Sequence, residues 1–273
     1  MVSKGKYTLF ESKDFGEWLH LKEFNRKIKL VQNHHTYSPS YKDFDGNNHF
    51  EVIEMIEKDH VVNMGLGEIG QHFTTFPDGK IATGRSLDKI PAGIKSANQF
   101  GISIEHLGNF NAGNDIMTEE HKKAIVLCNA FLCEKFNIEV NTENIVYHSW
   151  YDSFSGMRTE GSENKVSCPG DNFFGGNGIE DAKNYFIPVI KEAIDSYDTK
   201  IFNSNGRVTA EIVADALNVR TYPGISGEIV KTLTKGVVVT IFEEGDGWYK
   251  IHPEQNHWIY SGYLKRFEIP HCE

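Results

Sequence analysis

The residues of this chain able to do metal or acid–base chemistry lie far apart: His34 and His35, then Glu105, then His148, then Cys168 in a Cys-Pro-Gly turn. Two imidazoles and one thiolate form a donor set that suits Zn²⁺. Three protein ligands leave one position open, as a catalytic rather than a structural zinc requires. The chain holds 12 histidines, so satisfied surface or core imidazoles are the competing reading of the same residues. Glu105 adds a carboxyl that could move a proton, with a solvated carboxylate at a strand edge as its alternative. Neighbouring residues of a strand face opposite ways, so only one of His34 and His35 can reach a shared ion, and the residues themselves leave open which. One further pattern, Gly65-Leu66-Gly67-Glu68-Ile69-Gly70, fits G-x-G-x-x-G. It follows a predicted helix and precedes a predicted hairpin, the reverse of the strand-then-helix setting a dinucleotide site needs, and is discarded.

The elements that must position these residues are readable from periodicity. Residues 27–33 (KIKLVQN) predict a strand running into the histidine pair, and 48–61, with Phe50, Ile53 and Ile56 in step, predict a helix. Residues 73–76 and 80–83 flank Pro77-Asp78-Gly79 and predict a hairpin. Residues 100–107 alternate, with Phe100, Ile102 and Ile104 on one face and Glu105 on the other. Thr118 is placed to cap a helix carrying Glu119, Glu120, Ile125, Cys128 and Leu132. A strand at 145–147 leads into His148, and 179–197 predict a long helix kinked or interrupted at Pro188. Strands interleaved with helices predict an α/β domain with a mixed central sheet flanked by helices.

Periodicity is lost over 198–207, where polar and turn residues gather, and the character beyond is different. Short β-rich runs (Val219, 229–230, 237–242, 248–251, 258–260) alternate with Pro223-Gly224, Lys235-Gly236 and Gly245-Asp246-Gly247, which predicts one small all-β, SH3-like barrel. The expected organisation is a domain at 1–197, a linker at 198–207 and a second domain at 208–273. The composition of the 273 residues, 39% hydrophobic and 24% charged, suits a globular protein with a real core. A formal charge of −10 with no clustered Lys/Arg excess argues against nucleic acid as a partner. No apolar run has signal-peptide or membrane-span length, so synthesis is expected to end in the cytoplasm without integral membrane contact. The four cysteines are too scattered for a disulfide framework; Cys128 and Cys133 are expected as core or near-surface thiols and Cys272 as incidental.

The ordered set His34-His35-Thr36-Tyr37, Gly70-Gln71-His72-Phe73, Asp78-Gly79, Gly84-Arg85, Gly101-Ile102-Ser103-Ile104-Glu105, Tyr147-His148 and Cys168-Pro169-Gly170 resembles the zinc N-acetylmuramoyl-L-alanine amidases. That family includes a phage lysozyme type and the catalytic peptidoglycan recognition proteins. The resemblance covers about residues 27–190. It implies His34, His148 and Cys168 as zinc ligands, with His35 as the alternative first ligand, and Glu105 as acid/base. Three departures accompany it. Gln71 stands where other members use a tyrosine, and glutamine cannot take up a proton at neutral pH. The stretch from Ser149 to Ser167 is longer than the usual spacing. Val166 occupies the place of a family lysine, leaving Lys165, one step earlier, as the residue that could meet a developing oxyanion.

Residues 208–269, with Ala216-Leu217-Asn218-Val219-Arg220, Gly245-Asp246-Gly247-Trp248-Tyr249 and Trp258-Ile259-Tyr260-Ser261-Gly262-Tyr263, resemble a bacterial SH3 domain. Such domains bind cell-wall peptides or glycans, which implies peptidoglycan as partner and Arg220, Tyr222 and Tyr263 as contacts, with Trp248 more in keeping with barrel core. The two resemblances together imply a peptidoglycan hydrolase of endolysin or autolysin type, reaching the wall after release from the cytoplasm. A cytoplasmic recycling enzyme would have no use for a wall-binding module. The rival is a non-catalytic wall-binding protein on the same fold, favoured by Gln71 and Val166 and opposed by retention of the three ligands. A peptidase or glycosidase leaves the ordered ligand motifs unexplained.

Overall fold

The computed structural model describes residues 1–159, 166–197 and 209–267. The chain divides into two compact units, Met1–Ile194 and Asp195–Glu273. The 198–207 segment and Cys272 lie outside the described residues.

The first unit is built on seven strands: β1 (Val2–Lys4), β2 (Tyr7–Glu11), β3 (Leu30–His35), β4 (Phe73–Thr75), β5 (Lys80–Thr83), β6 (Gly101–His106) and β7 (Ile145–Tyr147). They form one sheet in the order β1-β2-β5-β4-β6-β3-β7. The β1/β2, β2/β5 and β4/β5 pairs are antiparallel, whereas β4/β6, β3/β6 and β3/β7 are parallel, so the sheet is mixed as expected. Three helices, α1 (Ser12–Leu21), α2 (His49–Val62) and α3 (Glu119–Phe136), cover it. Alternation along the strands divides the side chains between two layers. On one face Tyr7, Leu9, Phe76, Ala82 and Leu107 pack with Val52, Ile53 and Ile56 of α2. On the other, Phe10 and Phe73 meet Phe15 of α1, and Asn33 bonds Asn129 of α3.

Strand β3, paired on both sides by β6 and β7, carries Gln32 and Asn33, both fully buried. A polar side chain in such a place is costly unless hydrogen-bonded. Asn33 and Asn129 exchange amide bonds of 3.1 and 2.9 Å, and Asn33 Oδ1 also accepts from His106 Nε2 at 3.0 Å. From His106 the chain continues through Thr75 Oγ1, 2.8 Å from both His106 Nδ1 and His121 Nε2, to Tyr41, whose hydroxyl lies 2.7 Å from His121 Nδ1. This buried line of polar groups joins β3, β4, β6 and α3 beneath the face that carries the site.

One local expectation changes, at Phe100, while the N-terminal elements had none and the last helix is interrupted as expected. The N-terminal hairpin and α1 carry no strong sequence signal; their hold on the rest includes the Lys4–Glu51 ion pair at 2.9 Å and the Lys6–Glu57 pair, both to α2. Phe100 does not join the apolar row of β6: it ends a 3₁₀ turn, Asn98–Phe100, and is 40% exposed. The final helix is irregular ahead of Pro188, as Ile179–Asp181, a π-helical stretch Ala182–Phe186 and Ile187–Tyr197. Proline has no N–H to give the carbonyl four residues earlier, and the widened turn falls where that bond is lost. Thr118 caps α3 as expected, its side chain accepting from His121 N at 3.1 Å. Cys128 and Cys133 are both buried.

The second unit comprises β8 (Thr209–Ile212), β9 (Ala216–Arg220), β10 (Ile229–Thr234), β11 (Val238–Thr240), β12 (Glu243–Gly245), β13 (Trp248–Lys250), β14 (Trp258–Tyr260) and β15 (Leu264–Phe267). They form a five-stranded sheet, β10-β9-β14-β13-β12, and a three-stranded sheet, β11-β8-β15, around Ile212, Leu217, Val219, Val239 and Ile259. Trp248 is buried, as a core residue should be.

Candidate active site

The carboxyl ends of the parallel strands β3, β6 and β7 lie side by side, and each delivers one residue. His34 is register partner of Glu105 across β3/β6, and Asn33 is partner of Tyr147 across β3/β7, so His148 begins the 3₁₀ turn (His148–Trp150) just past the strand end. Cys168 arrives from the distant turn and is tied down at both its atoms: its carbonyl accepts from Ser149 N at 2.7 Å, and its Sγ accepts from His35 N at 3.4 Å. The turn depends on Gly170, whose φ is +106° and whose added Cβ would stand 2.4 Å from the Phe110 carbonyl carbon.

His34, His148 and Cys168 each offer a ligand atom, and these atoms all lie within 4.8 Å of one another. The His34 and His148 ring centroids are 4.8 Å apart. His35, the alternative first ligand, is outside this cluster; it faces the other side of β3, where its Nδ1 accepts from Phe110 N at 3.1 Å. Burial holds the His34 and His148 imidazoles below their ordinary pKa and brings His35 down to about 4, so all three are neutral at pH 7. Neutral imidazole is the coordinating form. Burial and the nearby Glu105 raise the Cys168 thiol; a divalent cation within the cluster would reverse that and draw off its proton.

These residues line a cavity of about 460 Å³ together with Glu105, Tyr37, Asp59, His60 and Gly93. Glu105 is half-buried, and its Oε2 is shielded from solvent without a hydrogen-bond partner. Desolvation pushes its pKa up to about 8, which a dication nearby would lower again. A carboxyl that lines the same cavity as His34, His148 and Cys168 is equipped to accept and return a proton.

The other expected site residues are placed as follows. Gln71 is buried and donates to Thr74 Oγ1 at 3.0 Å, its Oε1 left without a partner; it is not among the described residues that line the cavity. Val166 and Ser167 do line it, whereas Lys165 lies outside the described residues. In the second unit, Arg220 donates to Gly227 O at 2.7 Å and Tyr222 to Ser226 Oγ at 2.6 Å. Tyr222 and Tyr263 are 46% and 52% exposed, and Tyr263 packs against Tyr260 with ring centroids 5.9 Å apart. Sequence reasoning missed Asp59 and His60, at the cavity end of α2, although His60 falls one helical turn after the core residue Ile56. It also missed Gln32, which shares a strand face with His34.

Residues 24–171 match the family described as N-acetylmuramoyl-L-alanine amidase, and residues 215–265 match the bacterial SH3 domain. No curated protein matches the chain. Among solved structures it is similar to wild-type Drosophila PGRP-LB, at 20% identity and a TM-score of 0.45, over 59% of this chain and 83% of that one. It is similar also to the N-acetylmuramoyl-L-alanine amidase LysC from Clostridium intestinale URNW, at 20% identity and a TM-score of 0.42, over 62% and 87% of the two chains. The endolysin amidase LysCS of the same organism gives 22% identity and a TM-score of 0.41, over 62% and 85%. With more than half of its length matched by the family and a sheet whose strand ends gather the expected donors, the chain belongs to the N-acetylmuramoyl-L-alanine amidases and carries a bacterial SH3 domain behind the amidase domain.

Proposed function

We propose that the protein is a peptidoglycan hydrolase of endolysin or autolysin type that cleaves the amide bond between N-acetylmuramic acid and the L-alanine of the stem peptide. In this reading 1–197 is the catalytic domain, 198–207 the linker and 208–273 the domain that binds the wall. One observation carries it: two imidazoles and a thiol from three distant parts of the sequence converge within 4.8 Å, beside an unpartnered buried carboxyl oxygen on one cavity wall.

The donor set fits Zn²⁺. Neutral His34 and His148 with a Cys168 thiolate would hold the dication with one net positive charge, and three protein ligands would leave it able to take a water or substrate oxygen as well. Bound there, the ion would polarise the lactyl carbonyl and make the attacking water more acidic. The Glu105 carboxylate takes that water's proton as the water oxygen bonds to the carbonyl carbon. As the C–N bond breaks, the same carboxyl returns the proton to the departing nitrogen of L-alanine, so it ends the cycle ionised as it began. Lys165, one step before the position of the family's lysine, would meet the developing oxyanion. Gln71 has no part in the proton transfer, because a carboxamide does not take up a proton at neutral pH.

The second unit would hold the enzyme to its insoluble substrate, with Arg220, Tyr222 and Tyr263 as contacts; the exposed tyrosine faces offer stacking area with a polar edge. No helix among the described residues is long and apolar enough to cross a membrane.

The buried Gln71 favours a second reading, a wall-binding protein without catalysis. Mass analysis of digested walls separates the two. New L-alanine amino ends support the amidase, no released fragments support the binder, and new reducing sugars would overturn both.

A further inference from the structure

The metal reading requires His34 to present a lone pair to the cluster, and each neutral imidazole has one to offer on either of two nitrogens. Gln32 lies two residues before His34 on β3, so both side chains project from the same face. The orientation of its buried amide is decided by the main chain: Ile94 N donates to Gln32 Oε1 at 2.9 Å, which an NH₂ group could not accept. The other end of the amide, Nε2, then donates to Asn98 Oδ1 at 3.3 Å, and that same oxygen accepts from Gly93 N at 3.0 Å. Two backbone N–H groups of one loop thus fix both carboxamides without ambiguity.

Gln32 Oε1 turns its remaining lone pair to His34 Nε2, 3.4 Å away. A carboxamide oxygen only accepts, so Nε2 must carry the ring proton. Close approach here depends on Gly93: a Cβ at that position would stand 2.4 Å from Gln32 Oε1 and 3.0 Å from His34 Nε2. We propose that Gln32, anchored by the main chain of the 93–98 loop, is a positioning residue that holds His34 as its Nε2–H tautomer and thereby presents Nδ1 to the metal. A ligand's outer hydrogen bond fixes its ring angle and raises its basicity, so its loss weakens the site without touching the ion. The identity of the ion rests on the amidase reading; the tautomer does not.

The test joins two measurements. Long-range ¹H–¹⁵N NMR of the metal-free wild-type protein is expected to show His34 as the Nε2–H tautomer. In Gln32→Met, similar in length but without an acceptor, the ring should populate both tautomers, and zinc affinity by chelator competition should fall about tenfold to a hundredfold. Gln32→Glu, which keeps an oxygen facing Nε2, should recover most of that affinity. An Nδ1–H tautomer in the wild type overturns the proposal, as does a folded Gln32→Met that binds zinc as tightly as wild type. If Gln32→Met does not fold, the wild-type spectrum and Gln32→Glu decide. Wild-type protein that shows the Nε2–H tautomer and binds no zinc would count against the amidase reading and leave the tautomer assignment standing.

Discussion

His34 and Glu105 are direct partners in the parallel pairing of β3 with β6. Paired residues of adjacent strands project to the same face, so this register puts the proposed metal ligand and the proposed proton-transfer group on one cavity wall by backbone geometry alone. Slipping either strand by one residue would turn one of them into the opposite layer. The relationship separates binding from proton transfer, because each residue can be changed while the sheet holds the other.

Glu105→Gln keeps shape and removes the ability to take a proton. Turnover of wall fragments should fall by about a hundredfold to ten-thousandfold, the usual range for a general acid/base. Bound zinc, by metal analysis, should stay at the wild-type level. Undiminished turnover would remove Glu105 from the mechanism.

Thr75→Val tests the buried chain from Tyr41 to Asn129. The hydroxyl bridges His106 and His121 at 2.8 Å each, and valine leaves a buried nitrogen of each ring without its partner. A loss of about 1–3 kcal/mol for each group left unpaired is expected in urea unfolding. A change within error would mean that the chain contributes nothing to holding β4 against α3.

Below pH 6.5 acid should destabilise the metal-free amidase domain, the buried imidazoles together outweighing Glu105, whose raised pKa acts in the opposite direction between about 8 and 4.5. Burial lowers the pKa of both His72 and His121 to about 3, against an ordinary 6.5 for the unfolded chain. Above 6.5 neither state binds these protons and the two residues contribute no pH dependence. Between about 6.5 and 3 the unfolded chain takes up protons that the folded chain refuses, so stability falls as pH falls. Melting temperatures of the metal-free protein should drop steadily across this window; a flat profile would contradict the neutral, buried state of these rings.

Tyr222→Ala combined with Tyr263→Ala removes two exposed rings from the SH3 domain. Sedimentation with purified walls should weaken while turnover of small soluble muropeptides stays at the wild-type rate. Equal loss of both would show that the two domains do not divide the work in this way.

Much of this arrangement was legible in the residues. Alternation places Glu105 opposite the Ile102–Ile104 face and requires that only one of His34 and His35 meet His148 and Cys168; the structure puts His34 there. The strand before His148 and the Thr118 cap could be read because each depends on a few adjacent residues. What was not legible depends on segments distant in sequence. The clasp of Gln32 by Ile94, Asn98 and Gly93 joins residues more than sixty positions apart. Phe100 looked like a strand residue, yet local turn geometry took it out of β6. The N-terminal hairpin turns through Gly5 and Lys6, with φ +60° at Gly5, yet β1 is exposed along its length and the pairing of β2 with β5 becomes apparent only once the sheet is assembled. Lys165 lies outside the described residues, and its proposed part in the chemistry rests on its place one step before the family's lysine position.

The most direct measurement is the zinc K-edge absorption spectrum of the purified protein, wild type beside Cys168→Ala. Convergence of His34, His148 and Cys168 on one ion predicts a wild-type first shell with a single sulfur at about 2.3 Å and two imidazole nitrogens at about 2.0–2.1 Å, and loss of the sulfur together with most of the zinc in the variant. Zinc coordinated without sulfur, a spectrum unchanged by Cys168→Ala, or protein that carries no zinc while its wall-clearing activity survives a chelator would contradict it.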